Sequence, residues 1–262
     1  MQVTASLASV LFGASDAGSA NTGDAASSLA ALKAAQAAGA TAKGVAQEKK
    51  DPVTLTALKQ FQTAIAKARD VKSALQDPRV LNVLLPALGL ADQAAYPGLV
   101  QKALTADPKD PKGLLASLDK RFTAAAKTLD LKARGLAALK DPKLQQQMMD
   151  GFLEYQYRTG LDEKNAGISD ALYFLKNAKG ETNVYNILGN TVLRRVITGA
   201  LGLPNSMVVQ PIETQAAAIT SRLKLADLKD PKALEKLAQR YVIAAAGSAS
   251  GGTSSPLLSL LA

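Results

Sequence analysis

V-L-R-R-V-I-T-G-A-L-G-L-P, residues Val192 to Pro204, reads as a buried helix that carries its own stop signal. Val192, Leu193, Val196, Ile197, Ala200 and Leu201 recur at helical spacing, so one face is apolar. Arg194, Arg195 and Thr198 fall to a wetter side. Gly202 tolerates the left-handed conformation that ends a helix, and Pro204 keeps it from resuming. The chain says nearly the same thing at Leu81 to Leu90, L-N-V-L-L-P-A-L-G-L, about 113 residues earlier. A second echo follows each copy. D-P-K-G-L at Asp110 leads to Arg121-Phe122, and D-P-K-A-L at Asp230 leads to Arg240-Tyr241. Two halves built on one helical plan account for both agreements.

Punctuation elsewhere supports helices. Asp-Pro occurs at Asp51, Asp77, Asp107, Asp110, Asp141 and Asp230. Asp accepts hydrogen bonds from free amides of a first turn and suits its dipole, while Pro has no amide to waste there. Five of these pairs are expected to begin helices, with Asp107 in the turn before Asp110. Further helices are expected over 162–178, 184–201 and 208–223. No segment shows sustained alternation of β-branched residues, so the fold class is all-α. The expected organisation is a multi-helix bundle of two related lobes, 51–140 and 141–246. An Ala-rich extension over 1–50, read as mostly disordered up to Ser28, precedes them. A Gly/Ser linker and apolar tail, 247–262, follow.

Composition narrows function. The 262-residue chain is 47% hydrophobic but only 4% aromatic, so much of its apolar content is Ala, which suits close helix packing. It contains no Cys and no His, which removes thiolate chemistry, disulfides and the commonest metal ligand and neutral-pH base. S-L-D-K at Ser117 matches a penicillin-binding-enzyme motif, but its companion motifs are missing. Asp162 to Tyr173 fails as a calcium loop because Lys164, Ala166 and Tyr173 occupy ligand positions. No phosphate loop occurs. The chain therefore reads as a non-enzyme, with no catalytic, metal or cofactor residues and no small-molecule ligand expected. Arg194 and Arg195 are read as internal ion-pairing residues, facing Asp162, Glu163 or Asp170. The Tyr155, Tyr157, Tyr173 and Phe174 rings read as core contacts.

Net charge is +9, from 31 basic and 22 acidic residues. That makes a basic binder of nucleic acid or an anionic surface the alternative reading, weakened by interleaved acids and scarce aromatics. Nothing near the start resembles a Sec signal, and no run has the length and apolarity of a membrane span. Both ends carry small apolar clusters: Leu7, Val10, Leu11 and Phe12, and Leu257, Leu258, Leu260 and Leu261. These are the candidate partner-binding residues, able to order on another protein or a second copy.

A series of short motifs then falls into order: A-L-G-L, D-P-K, S-L-D-K-R-F, G-I-S-D-A-L-Y-F, N-V-Y-N-I-L-G-N, L-R-R-V, A-L-G-L-P and L-K-D-P-K-A-L. Over about residues 75–245 the chain resembles an alphaproteobacterial family known only as a domain of unknown function. Its members are often encoded among flagellar genes. The chain departs from the family pattern at Lys176-Asn177, where an acidic residue followed by Arg is common, and in its long N-terminal region. The resemblance implies other flagellar proteins as partners. It also implies a location in the flagellum, or in the cytoplasm before export, and it supplies no catalytic residues.

Overall fold

The computed structural model describes residues 19–249, and among these the regular structure is helical, with no strand. Expectations for Leu7, Val10, Leu11, Phe12, Leu257, Leu258, Leu260 and Leu261 lie outside the described residues. Two leading helices, α1 (Ser19–Gln36) and α2 (Ala40–Glu48), precede the first lobe. That lobe comprises α3 (Pro52–Lys67), α4 (Val71–Gln76), α5 (Pro78–Ala87), α6 (Pro97–Leu104), α7 (Lys120–Leu129), α8 (Leu131–Arg134) and α9 (Leu136–Leu139). A long helix, α10 (Pro142–Asp162), leads to the second lobe: α11 (Ile168–Asn177), α12 (Val184–Gly189), α13 (Thr191–Ala200), α14 (Ile212–Thr220) and α15 (Pro231–Ala249). Short 3-10 turns lie at Ala91–Gln93, Leu114–Ser117, Asn205–Val209 and Leu225–Lys229.

The internal repeat is structural. The order α4, α5, 3-10 turn, α6, 3-10 turn, α7 recurs as α12, α13, 3-10 turn, α14, 3-10 turn, α15. Asp70 and Asp77 cap α4 and α5 through their side chains, and Asn183 and Asn190 cap α12 and α13 at the matching places. Each A-L-G-L closes its helix in one way. Gly89 and Gly202 take φ of 70° and 64°, and the next amide, of Leu90 or Leu203, reaches back to Leu85 or Thr198.

Two apolar cores follow this division. One gathers Leu58, Phe61, Leu84, Leu104 and Phe122 with Leu144, Met148 and Phe152 from α10. The other gathers Ile168, Phe174, Val196, Ile197 and Val242 with Leu32 and Ala35 from α1. The boundary expected at 140/141 therefore moves, because the first half of α10 belongs to the first core. The extension expected over 1–50 is helical from Ser19 onward. Leu32 is 1% exposed where α1 lies along α15, and Gly44 lets α2 sit against the Tyr157 ring. Tertiary packing here overrides a pattern too Ala-rich to show a face.

The helix starts expected at Asp51, Asp77, Asp141 and Asp230 are present, each Asp accepting a first-turn amide. Asp110 begins no helix. Its carboxylate takes the Lys112 amide in a turn, Gly113 follows, and the helix waits for the cap at Asp119. The echo of the second D-P-K is thus Asp119, not Asp110. The expected helix over 184–201 is broken by the Asn190 cap, and the one over 162–178 begins at Ile168.

Helix α10 touches α5 so closely that a Cβ on Gly151 would meet the Ala87 carbonyl oxygen at 3.0 Å and its Cα at 3.2 Å. Gly160, on the same helix, has nothing within 4 Å. The two glycines should respond oppositely to Ala. Gly151→Ala is expected to destabilise by about 1–2 kcal/mol, since overpacking against backbone exceeds the gain in helix propensity. Gly160→Ala should stabilise by roughly 0.5–1 kcal/mol. Thermal denaturation of the two variants reads both signs.

Candidate functional site

Two arginine networks, one within each lobe, border the seam between the lobes. Arg121, at the start of α7, is 9% exposed and reaches across to the end of α5. Its guanidinium donates to Asp119 at 2.6 Å, to both Asp92 oxygens at 2.8 and 3.0 Å, and to the Gly89 carbonyl at 2.7 Å. Burial pushes the Asp92 carboxyl up, but the hydrogen bonds and charge of Arg121 outweigh it and hold it below the usual carboxylate range. Buried charges are tolerated when fully paired in this way.

Arg195 performs the equivalent task in the second lobe. Its guanidinium takes Asp170 in a forked pair at 2.5 and 2.8 Å, and the Tyr241 hydroxyl donates to the same carboxylate at 2.7 Å. Tyr241 reaches Asp170 through a slot between two glycines. A Cβ on Gly199 would meet its ring at 2.8 Å, and one on Gly167 at 3.1 Å. Burial and the Asp170 charge together raise the Tyr241 pKa.

Between these networks lies a cleft of about 340 Å³, walled by Tyr155, Arg158, Asp162, Asp170, Tyr173 and Arg195 among others. The Arg158 guanidinium lies over the Tyr173 ring, 5.9 Å from its centre, with Glu154 at 3.9 Å from Nε. Asp162 is half-buried and accepts the Ser169 amide at 2.6 Å. Burial raises its pKa, and the nearby Asp170 charge adds to the effect against that hydrogen bond. The carboxylates of the cleft are thus engaged in fastening. Among the described residues no group of three or more acids is placed to hold a metal.

A second hollow, also about 340 Å³, opens on the other side of Arg195. Thr191, Arg194 and Thr198 of α13 form one wall, and Pro204, Met207 and Val208 another. Gln215 is buried beneath and donates to the carbonyls of Val208 and Gln210, at 3.3 and 2.8 Å. That anchor presents Val208, Val209 and Ile212 to solvent, at 51%, 82% and 46% exposure. The first lobe exposes Tyr96 at the matching place, just ahead of α6.

Of the arginines singled out in the sequence, Arg195 meets Asp170, while Arg194 has no carboxylate partner among the described residues and reaches only the Leu188 carbonyl, at 3.4 Å. Asp162 faces the cleft without a direct bond to either arginine, and Glu163 is exposed. The Asp92–Arg121–Asp119 network was not anticipated. Its members are separated by up to 29 positions, and only the motif L-D-K-R-F, with Asp capping two residues before Arg, hinted at it.

A pH test follows from Asp162. Folding raises its pKa, so its contribution is favourable below the ordinary value of about 3.9 and is lost as pH rises through the raised one. Asp162→Asn keeps an oxygen for the Ser169 amide and removes the charge. It should therefore raise Tm at pH 7 and lose that advantage near pH 3, as read by thermal melts at both pH values. An equal effect at both would show that charge burial is not the cause.

The architecture has a counterpart of known structure. A protein from Agrobacterium tumefaciens, solved by X-ray crystallography as a structural-genomics target, is similar with a TM-score of 0.65. The likeness covers 88% of this chain and 96% of that one, at 23% sequence identity, a level that speaks for the fold alone. No curated protein matches the sequence. The family model described as "Protein of unknown function (DUF1217)" matches residues 87–234, from the first A-L-G-L into α15, and the chain belongs to that family.

Proposed function

We propose that the protein is a flagellum-associated structural or assembly component that acts through helix-mediated contacts with other flagellar proteins. The observation that carries the contact-making part is the apolar surface at Val208, Val209 and Ile212, three large side chains exposed within one short stretch. Single exposed apolar residues are ordinary on a soluble surface, whereas a contiguous group marks a place where another surface fits. Val53 and Leu55, at the start of α3, add a second such place at 74% and 47% exposure. The flagellar setting is supported by the sequence resemblance to a family whose members are often encoded among flagellar genes. In this reading α10, which packs on helices of both lobes, holds them in fixed register, so that surfaces on both lobes are presented together.

The test is made in the bacterium that encodes the chain. Loss of the gene should reduce swimming and alter flagellar assembly, and the protein should be present in purified hook–basal bodies or in the exported fraction. Normal flagella and normal swimming in the deletion strain would overturn the flagellar assignment.

A further inference from the structure

We infer that the hollow beside α13 is a docking site for the chain's own N-terminal segment, Leu7 to Asp16, which lies outside the described residues. The hollow is apolar on the side of Pro204, Met207 and Val208, and cationic on the side of Arg194, and no acid lines it. Arg195, which also borders it, is taken by Asp170, whereas Arg194 has no carboxylate partner among the described residues. The fitting occupant is therefore an apolar stretch that carries one carboxylate and no base.

Residues 1–18 match that requirement. They hold Leu7, Val10, Leu11 and Phe12, and their single charged side chain is Asp16. The other apolar end, Leu257 to Leu261, has no acidic side chain anywhere in 250–262 to set against Arg194. Position agrees as well. Helices α1 and α13 both pack on α15 and on α11, so the start of the described chain and the hollow belong to neighbouring helices. With helix axes about 8–10 Å apart, two such steps are roughly 20 Å. Phe12 precedes Ser19 by seven residues, a reach of roughly 23–25 Å when extended. Docking would cover Val208 and Val209, and pair Asp16 with Arg194. It would also withhold Leu7 to Phe12, together with the Val208 and Val209 contact surface, from any partner until the segment is released. The inference rests on the hollow and its charge, and it stands apart from the flagellar assignment.

Hydrogen exchange over residues 205–212 of the full chain tests it. Leu11→Glu with Phe12→Glu should speed exchange there severalfold, as should Asp16→Lys alone and Arg194→Glu alone. Combining Asp16→Lys with Arg194→Glu should return exchange to the starting level, because the pair is restored with its signs reversed. Exchange in the first-lobe core around Leu84 and Leu104 serves as the folding control for every variant. Unchanged exchange at 205–212 in the Leu11/Phe12 variant would overturn the inference. Protection that depends on protein concentration would also overturn it, by assigning the site to a second copy's segment.

Discussion

Everything in this fold leans on the close approach of α10 to α5 at Gly151. A chain with only 4% aromatic residues has few large side chains with which to bridge wide gaps between helices. It compensates by bringing backbones together, and glycine is the residue that permits this. Gly151 lies against Ala87, Gly44 against Tyr157, and Gly167 and Gly199 on either side of Tyr241. Because α10 runs for 21 residues, about 31 Å, it serves the first core with its beginning and flanks the interlobe cleft with its end. The register of the lobes is set along this one helix.

The two arginine networks, one within each lobe, then fix the helices that border the seam. Arg121 and Arg195 each neutralise an Asp that would otherwise be costly beside apolar packing, and each does so with forked geometry that resists sliding. This use of charge has a chemical consequence. A carboxylate held by a guanidinium and a tyrosine hydroxyl is poorly placed to exchange protons with a substrate, since its lone pairs are already occupied. The cleft has the size of a ligand site, but Asp162 and Asp170 in its wall are already bonded to groups of their own lobe. The apolar group at Val208, Val209 and Ile212 has the opposite character. Its backbone is anchored from below by Gln215, while its side chains have no intramolecular cover among the described residues.

Much of this architecture was legible in the sequence because it depends on local chemistry. Asp before Pro makes a helix start from one side chain and one missing amide, and Gly after an apolar run makes a stop from one φ angle. Those signals span a few residues, so the helices at Pro52, Pro78, Pro142 and Pro231, and the doubled A-L-G-L closure, could be read directly. The all-α class and the repeated order of elements follow from them. Asp110 shows the limit of such reading: it has the same local chemistry, yet Gly113 and the competing cap at Asp119 take the helix away from it.

Tertiary structure decided what depends on distance through space. The leading helices α1 and α2 have little amphipathic pattern and are fixed by where Leu32 and Gly44 meet the rest of the chain. Asp92 and Arg121 are 29 positions apart, and Asp170 and Tyr241 are 71 apart. No spacing rule joins such pairs, since their contact is made by the packing of helices whose faces are set by other residues. The sequence by itself determined which segments are helices and that two halves share one plan, because capping and termination are short-range. Which arginine is buried at the seam, which is left facing an open hollow, and which valines remain exposed were decided only when the helices packed. Burial is a property of the whole assembly and not of any one stretch.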